Sequence, residues 1–230
     1  MIKLLSVADA ISIINAVFGI LAIIFLTSNI GTCNEFRIRA SFTFILLALL
    51  ADGLDGIAAR KFGKSEIGVF LDSMADMTSF VIAPTVFIYF IYSNLTDFFL
   101  YRHAYLLFAL ILFLSFGIIR LASFHLMKEK KYFVGLPAPA GATILLIIAW
   151  LQIDFIYLLP TVVIIGALMA SNIKVPKMKI RMDTIAAILV FLSIILYDSY
   201  YKIAPLLLLT ALIVYAIGGP IFYKYLEKMR

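Results

Sequence analysis

Four aspartates stand close together in the segment DGLDGIAARKFGKSEIGVFLDSMAD, residues 52–76. Asp52 and Asp55 are three apart, Asp72 and Asp76 four apart. Such spacings put both members of a pair on one face of a helix. The connection at 60–64 is short, so two antiparallel helices can bring their acidic faces together. Four carboxylates that close repel one another unless a cation sits among them. Hard divalent ions such as Mg²⁺ or Mn²⁺ take carboxylate oxygens as ligands, and a two-ion site can clamp the attacking and leaving oxygens of a phosphoryl displacement. Gly53, Gly56, Ala58, Ala59 and Gly68 leave room for a ligand against the backbone, and Arg60 offers a bidentate donor to phosphate. The other reading open to the residues alone is a set of structural ion pairs between these acids and Arg120, Arg60 or Lys64.

The elements that must carry these acids are apolar. The 230 residues are 64% hydrophobic, with a mean hydropathy of +1.11, and apolar runs recur along the whole chain. A carboxylate at the centre of a bilayer costs about 3 kcal/mol even on the lenient insertion scale. An all-α integral membrane protein is therefore expected. Its eight transmembrane helices fall at approximately 7–27, 37–60, 65–94, 99–127, 137–151, 155–172, 184–198 and 204–226. The first run lacks a small-residue cleavage site and is taken as a retained span. Lys3, Arg60, Lys61, Lys64, Lys128, Lys130, Lys131, Lys174, Lys177, Lys179, Arg181, Lys224, Lys228 and Arg230 fall on one side of this arrangement, leaving few of the 19 basic residues opposite. The positive-inside rule then places both termini in the cytoplasm and calls for an even number of spans. The same distribution turns the net charge of +6 from a nucleic-acid signal into a topological one, although basic clusters there also suit anionic headgroups. Cys33 is the single cysteine, so no intrachain disulfide can form. Trp150, Tyr197, Tyr200 and Tyr201 are expected in an interfacial aromatic belt.

The acidic segment reads Asp52-x2-Asp55-Gly56-x2-Ala59-Arg60-x7-Gly68-x3-Asp72-x3-Asp76. It resembles, at all eight fixed positions, the signature of the CDP-alcohol phosphatidyltransferases, which move a substituted phosphate from a CDP-linked lipid or alcohol to an acceptor hydroxyl and release CMP. The resemblance implies that Asp52, Asp55, Asp72 and Asp76 ligate the divalent metal, two ions in all, and that Asp76 is also the general base. It implies that Gly56, Ala59 and Gly68 admit the cytidine nucleotide, that Arg60 contacts the diphosphate, and that the Ser65 hydroxyl lies near the nucleotide. A homodimer is expected on the same ground.

Three further stretches narrow the acceptor. SVADAISIINAVFGILAIIF (6–25), RLASFHLMKEKKYFVGLPAPAGA (120–142) and LMASNIKVPKMK (168–179) resemble the corresponding parts of the membrane-integral phosphatidylserine synthases of that family. The resemblance implies a six-helix core over 1–180, with 181–230 adding two helices to the same domain, and transfer from CDP-diacylglycerol or a CDP-archaeol-type lipid to L-serine. Serine's carboxylate needs a cation, and Arg120 lies at the depth of the aspartates; it serves either the carboxylate or one of the acids. Ser12 and Asn15, three apart on the first helix, either line the same cavity or bond between helices. Gly135 opens GLPAPAGA, whose prolines and small residues predict an irregular, substrate-lining loop beside Lys130, Lys131 and Phe133. Asp9 reads as a helix N-terminal charge. Two other functions compete: the same transfer to glycerol phosphate or inositol phosphate, and a cation-coupled transporter. A phosphorylated acceptor asks for more than one extra cation, and no second acidic centre or inverted repeat supports a transporter.

Overall fold

The computed structural model describes residues 5–28, 33–63, 65–95, 100–124, 132–176, 180–198 and 202–228. The first helix, α1 (Val7–Thr27), starts in a capping box: Ser6 Oγ accepts the Asp9 N–H, and Asp9 Oδ2 accepts the Ser6 N–H at 2.7 Å. Helix α2 (Asn34–Phe62) returns alongside α1 and stops at Gly63, whose φ of +79° ends the helix while its N–H still reaches the Ala59 carbonyl. Then follow α3 (Gly68–Asp76), a π-helical turn (Met77–Ile82) and α4 (Ala83–Leu95), stacked as one continuous rod. Helix α5 (Leu100–Phe124) leads to a short strand, β1 (Tyr132–Val134). Helices α6 (Ala138–Trp150) and α7 (Phe155–Met169) come next, then strand β2 (Lys174–Pro176), α8 (Ile180–Ile195) and α9 (Ile203–Lys228).

Counting α3 to α4 as one, the described residues form eight helical rods, in the order the apolar runs predict. Five segments have the length and composition to cross a membrane: Val7–Thr27, Asn34–Phe62, Gly68–Ser93, Leu100–Ser123 and Ile203–Lys224. The other three, Ala138–Trp150, Phe155–Met169 and Met182–Ile195, are shorter apolar helices. The shortness of α6 has a packing reason. It is apolar all round and almost wholly buried, a post inside the bundle rather than a wall of it.

Two features depart from the sequence-based expectation. Strands β1 and β2 pair antiparallel with Phe133 opposite Val175, a ribbon too short to be seen as an alternating pattern. Gly135 follows β1 at φ +78°, and a Cβ there would run into the Met169 carbonyl oxygen. Its N–H donates to the Ile173 carbonyl at 2.7 Å. Gly135 is thus a turn residue that ties the GLPAPAGA segment to the end of α7, and it does not line the cavity described below. Prolines 137 and 139 then set the start of α6, where a missing N–H leaves no bond unmade.

The second departure is at the opposite end of the bundle. Trp150 and Tyr197 are buried, not arrayed in a belt: the indole N–H donates to the phenol oxygen, and both rings meet Phe42. Arg39 lies over Tyr197 and Lys202 over Trp150, covering the knot with two cations. Tyr200 and Tyr201 lie outside the described residues, as do Lys64, Lys128, Lys130 and Lys131, the loop of Lys177 and Lys179, and the terminal Lys3 and Arg230.

Candidate active site

Carboxylates carried by α2 and α3 converge. Asp52, Asp72 and Asp76 each direct a carboxylate oxygen to a common point, all three within 4.8 Å of one another. They line a cavity of about 760 Å³. Gly53 and Gly56 form its α2 wall, and ideal Cβ atoms built there would meet nothing within 4 Å. Arg60 stands at the rim, exposed. Arg120, only 6% exposed, enters from α5 and faces Asp76. Phe133, Pro137, Pro139 and Thr143 bring the end of the ribbon and α6 into the same wall.

Helix α1 braces the acids from behind. The Ser12 hydroxyl donates to Asp55 Oδ2 at 2.6 Å, and the Asn15 side-chain amide donates to Asp76 Oδ1 at 3.3 Å. Ser79, in the π-helical turn just after Asp76, donates its hydroxyl to the Asn15 carbonyl at 2.8 Å. A π turn inserts one residue into the helical ladder and re-aims what precedes it, and such turns gather at functional sites. Here Gly19 lets α1 touch that turn, since a Cβ would lie 2.5 Å from Ser79 Oγ and 2.9 Å from Ser79 Cα.

The donor set suits a hard cation. Three partly exposed carboxylates at this separation repel strongly in a low-dielectric wall. An ion of charge +2 bound through oxygen would relieve that repulsion, and among the described residues neither sulfur nor imidazole joins the three acids to favour a softer metal. Asp52, Asp72 and Asp76 are the residues that would hold it.

Residues 5–171 match the family model of the CDP-alcohol phosphatidyltransferases. The chain belongs to that family. Among curated proteins it is 35% identical, over 178 residues, to the CDP-diacylglycerol–serine O-phosphatidyltransferase of Methanocaldococcus jannaschii, covering 76% of either chain. It is 31% identical over 183 residues to the protein of the same description from Helicobacter pylori, covering 73% of this chain and 74% of that one. To the archaetidylserine synthase of Methanothermobacter thermautotrophicus it is 37% identical over 142 residues, 60% of this chain and 55% of the other.

Within this CDP-alcohol phosphatidyltransferase the other expected site residues are placed as follows. Asp55 is not one of the three converging acids; it is buried and turned to Ser12 on α1. Ser12 and Asn15, expected either to line the cavity or to bond between helices, donate to Asp55 and Asp76, because the buried face of α1 packs on α2 and α3. Ser65 lies in the turn before α3, its hydroxyl accepting the Gly68 N–H at 3.0 Å, and interacts with Asp9. Gly68 is buried at that turn, and neither it, Ser65 nor Ala59 lines the cavity. Four contributors escape sequence reading. Gly19 and Ser79 are ordinary small residues until α1 and the π turn are seen together; the only trace is that Asn15 and Gly19 share a helix face. Asp183 and Tyr215 line the cavity from α8 and α9, helices that carry no recognisable motif. A lone acid opening an apolar helix was the available signal for Asp183.

Proposed function

We propose that this chain transfers the phosphatidyl group, or its ether-lipid counterpart, from a CDP-linked lipid to the hydroxyl of L-serine. The observation that carries the reading is the three-carboxylate convergence in one cavity with Arg120, beside a glycine-walled face of α2. The nucleotide lies against Gly53 and Gly56, and Arg60 at the rim pairs with the diphosphate. Asp76 takes the proton of the serine hydroxyl. That oxygen forms the new bond to the lipid-side phosphorus, and the phosphoanhydride bond breaks with its electron pair leaving on CMP. Mg²⁺ or Mn²⁺, one ion or two, would draw charge from the diphosphate when held by Asp52, Asp72 and Asp76, with Asp55 the fourth acid of the signature beside them. Arg120 receives the serine carboxylate, a bidentate match of guanidinium to carboxylate.

The eight rods are read as eight spans, with both termini and the cavity mouth on the cytoplasmic side, where the basic connections collect. The chain acts in the cell membrane as one domain, since α8 and α9 share the cavity wall with α2, α3 and α6, and it is proposed to pair as a homodimer. The test is product identity. Purified protein is given CDP-diacylglycerol or CDP-archaeol with serine, glycerol phosphate or inositol phosphate, with and without a chelator. Serine-headed lipid and CMP, formed only with a divalent ion, are expected. A product built on another acceptor would refute the choice of serine, and cation flux without CMP release would refute the enzyme.

A further inference from the structure

The charges of the cavity are not all engaged by phosphate chemistry. Asp52, Asp72 and Asp76 converge on one point, Arg120 faces Asp76, and Arg60 stands at the rim. One acid is left over. Asp183, half-buried in the first turn of α8, lines the same cavity next to Thr184 but is not among the converging acids. It lies within electrostatic reach of both Arg60 and Tyr215. Tyr215 donates its hydroxyl to the Pro176 carbonyl at 3.1 Å, which ties the ring to the ribbon and holds it on the cavity wall. A carboxylate, a hydroxyl and an electron-rich ring on one wall are the chemistry that recognises a small ammonium ion.

We propose that Asp183 is a specificity residue that binds the ammonium group of the amino-acid acceptor, with Thr184 and Tyr215 beside it. This rests on the reading of the acceptor as serine. It also divides the labour of the fold. The segment matched by the family, residues 5–171, carries the phosphoryl transfer and, through Arg120, the acceptor carboxylate, while α8 and α9 outside it take the ammonium. Holding the ammonium on α8 keeps it apart from bound divalent cations, which would repel it. An amine held as ammonium has no lone pair to offer phosphorus, so the hydroxyl remains the nucleophile.

The experiment compares serine with 3-hydroxypropanoate, which is serine with the ammonium replaced by hydrogen. Steady-state CMP release is measured for the full chain and for Asp183→Asn, Asp183→Glu and Thr184→Val, varying acceptor and CDP-lipid in turn. Asp183→Asn is expected to raise the serine KM about tenfold to hundredfold, the loss of one charge-assisted bond. The KM values for 3-hydroxypropanoate and CDP-lipid should stay put. Asp183→Glu should retain most of the preference for serine, and Thr184→Val should shift the serine KM alone by a smaller factor. Equal losses for both acceptors, an unchanged serine KM, or a change confined to CDP-lipid would overturn the proposal; the last would make Asp183 a partner of Arg60. If Asp183→Asn no longer binds CDP-lipid, Thr184→Val decides: a serine-selective KM rise supports the proposal and none overturns it. Failure of the serine reading itself looks different, because the unaltered protein would then use neither acid and would release CMP with glycerol phosphate or inositol phosphate.

Discussion

Replacing Gly19 with alanine asks whether α1 is part of the catalytic site or only a neighbour of it. The added Cβ would lie 2.5 Å from Ser79 Oγ and 2.9 Å from Ser79 Cα. The hydroxyl can rotate away, but the Cα belongs to the backbone of the π turn. Carbon atoms rest at about 3.5–4.0 Å, so α1 must retreat by roughly 0.6–1 Å at this point. Two bonds cross the gap that opens: Ser79 to the Asn15 carbonyl at 2.8 Å, and the Asn15 amide to Asp76 at 3.3 Å. The second is already long, and a further half-ångström takes it beyond hydrogen-bonding range. Asp76 would lose the donor that α1 gives it. Overpacking of this kind costs about 1–3 kcal/mol of stability, or several degrees in melting temperature. Misplacement of a reacting group by about 1 Å can cost up to 10²-fold in rate. The expected result for Gly19→Ala is a kcat lowered about tenfold to hundredfold with both KM values little changed. The assay is CMP release by purified protein in detergent, with thermal melting in parallel. Gly218→Ala on α9 is the control, because an ideal Cβ there meets nothing within 4 Å. A Gly19→Ala protein with full kcat and an unchanged melting point would show that the α1 contact does not position Asp76.

Asp72→Asn removes one of the three converging ligands and should abolish transfer even at saturating Mg²⁺ or Mn²⁺, with a matching loss of Mn²⁺ binding by electron paramagnetic resonance; full activity would refute the ligand set. Gly56→Leu places a large side chain in open cavity rather than against protein, so the fold should survive while CDP-lipid binding fails. Unimpaired binding would move the nucleotide to another wall. Arg120→Lys keeps the buried charge but loses the bidentate fork, and a serine KM raised about tenfold to hundredfold is expected from the loss of a charge-assisted bond. If the variant instead weakens metal and both substrates together, Arg120 serves Asp76.

Much of the chain could be read before folding. Helix periods, apolar runs and basic connections are local properties, and membrane insertion makes them nearly sufficient, since a polar backbone in lipid must close its own hydrogen bonds within a helix. The order of the eight rods followed from them, although length and composition alone mark only five as spans. The acidic cluster was legible for the same reason: residues three or four apart share a helix face wherever the helix goes, and the short link at 60–64 leaves α2 and α3 few ways to pair. What spacing could not decide is which oxygens converge. Asp55 has the right spacing, yet it is buried and bonded to Ser12 on a helix 43 residues earlier in the chain.

The remaining features are long-range contacts with no local signature. Ser12 and Asn15 carry the same sequence signal whether they touch a substrate or an aspartate; only the docking of α1 on α2 and α3 makes them braces. Gly19 and Ser79 become significant through one close approach of two backbones. The β1–β2 ribbon joins segments about 40 residues apart and gives Tyr215 its hydrogen-bond partner. Asp183 reads as a helix-end charge until α8 closes the cavity around it. Sequence by itself determined the helices, their apolar faces and the acidic signature, because these depend on neighbours within a turn or two. Tertiary structure decided which acids meet, what holds them, and which side chains close the cavity, because each requires side chains far apart in sequence to arrive within a few ångströms of one another.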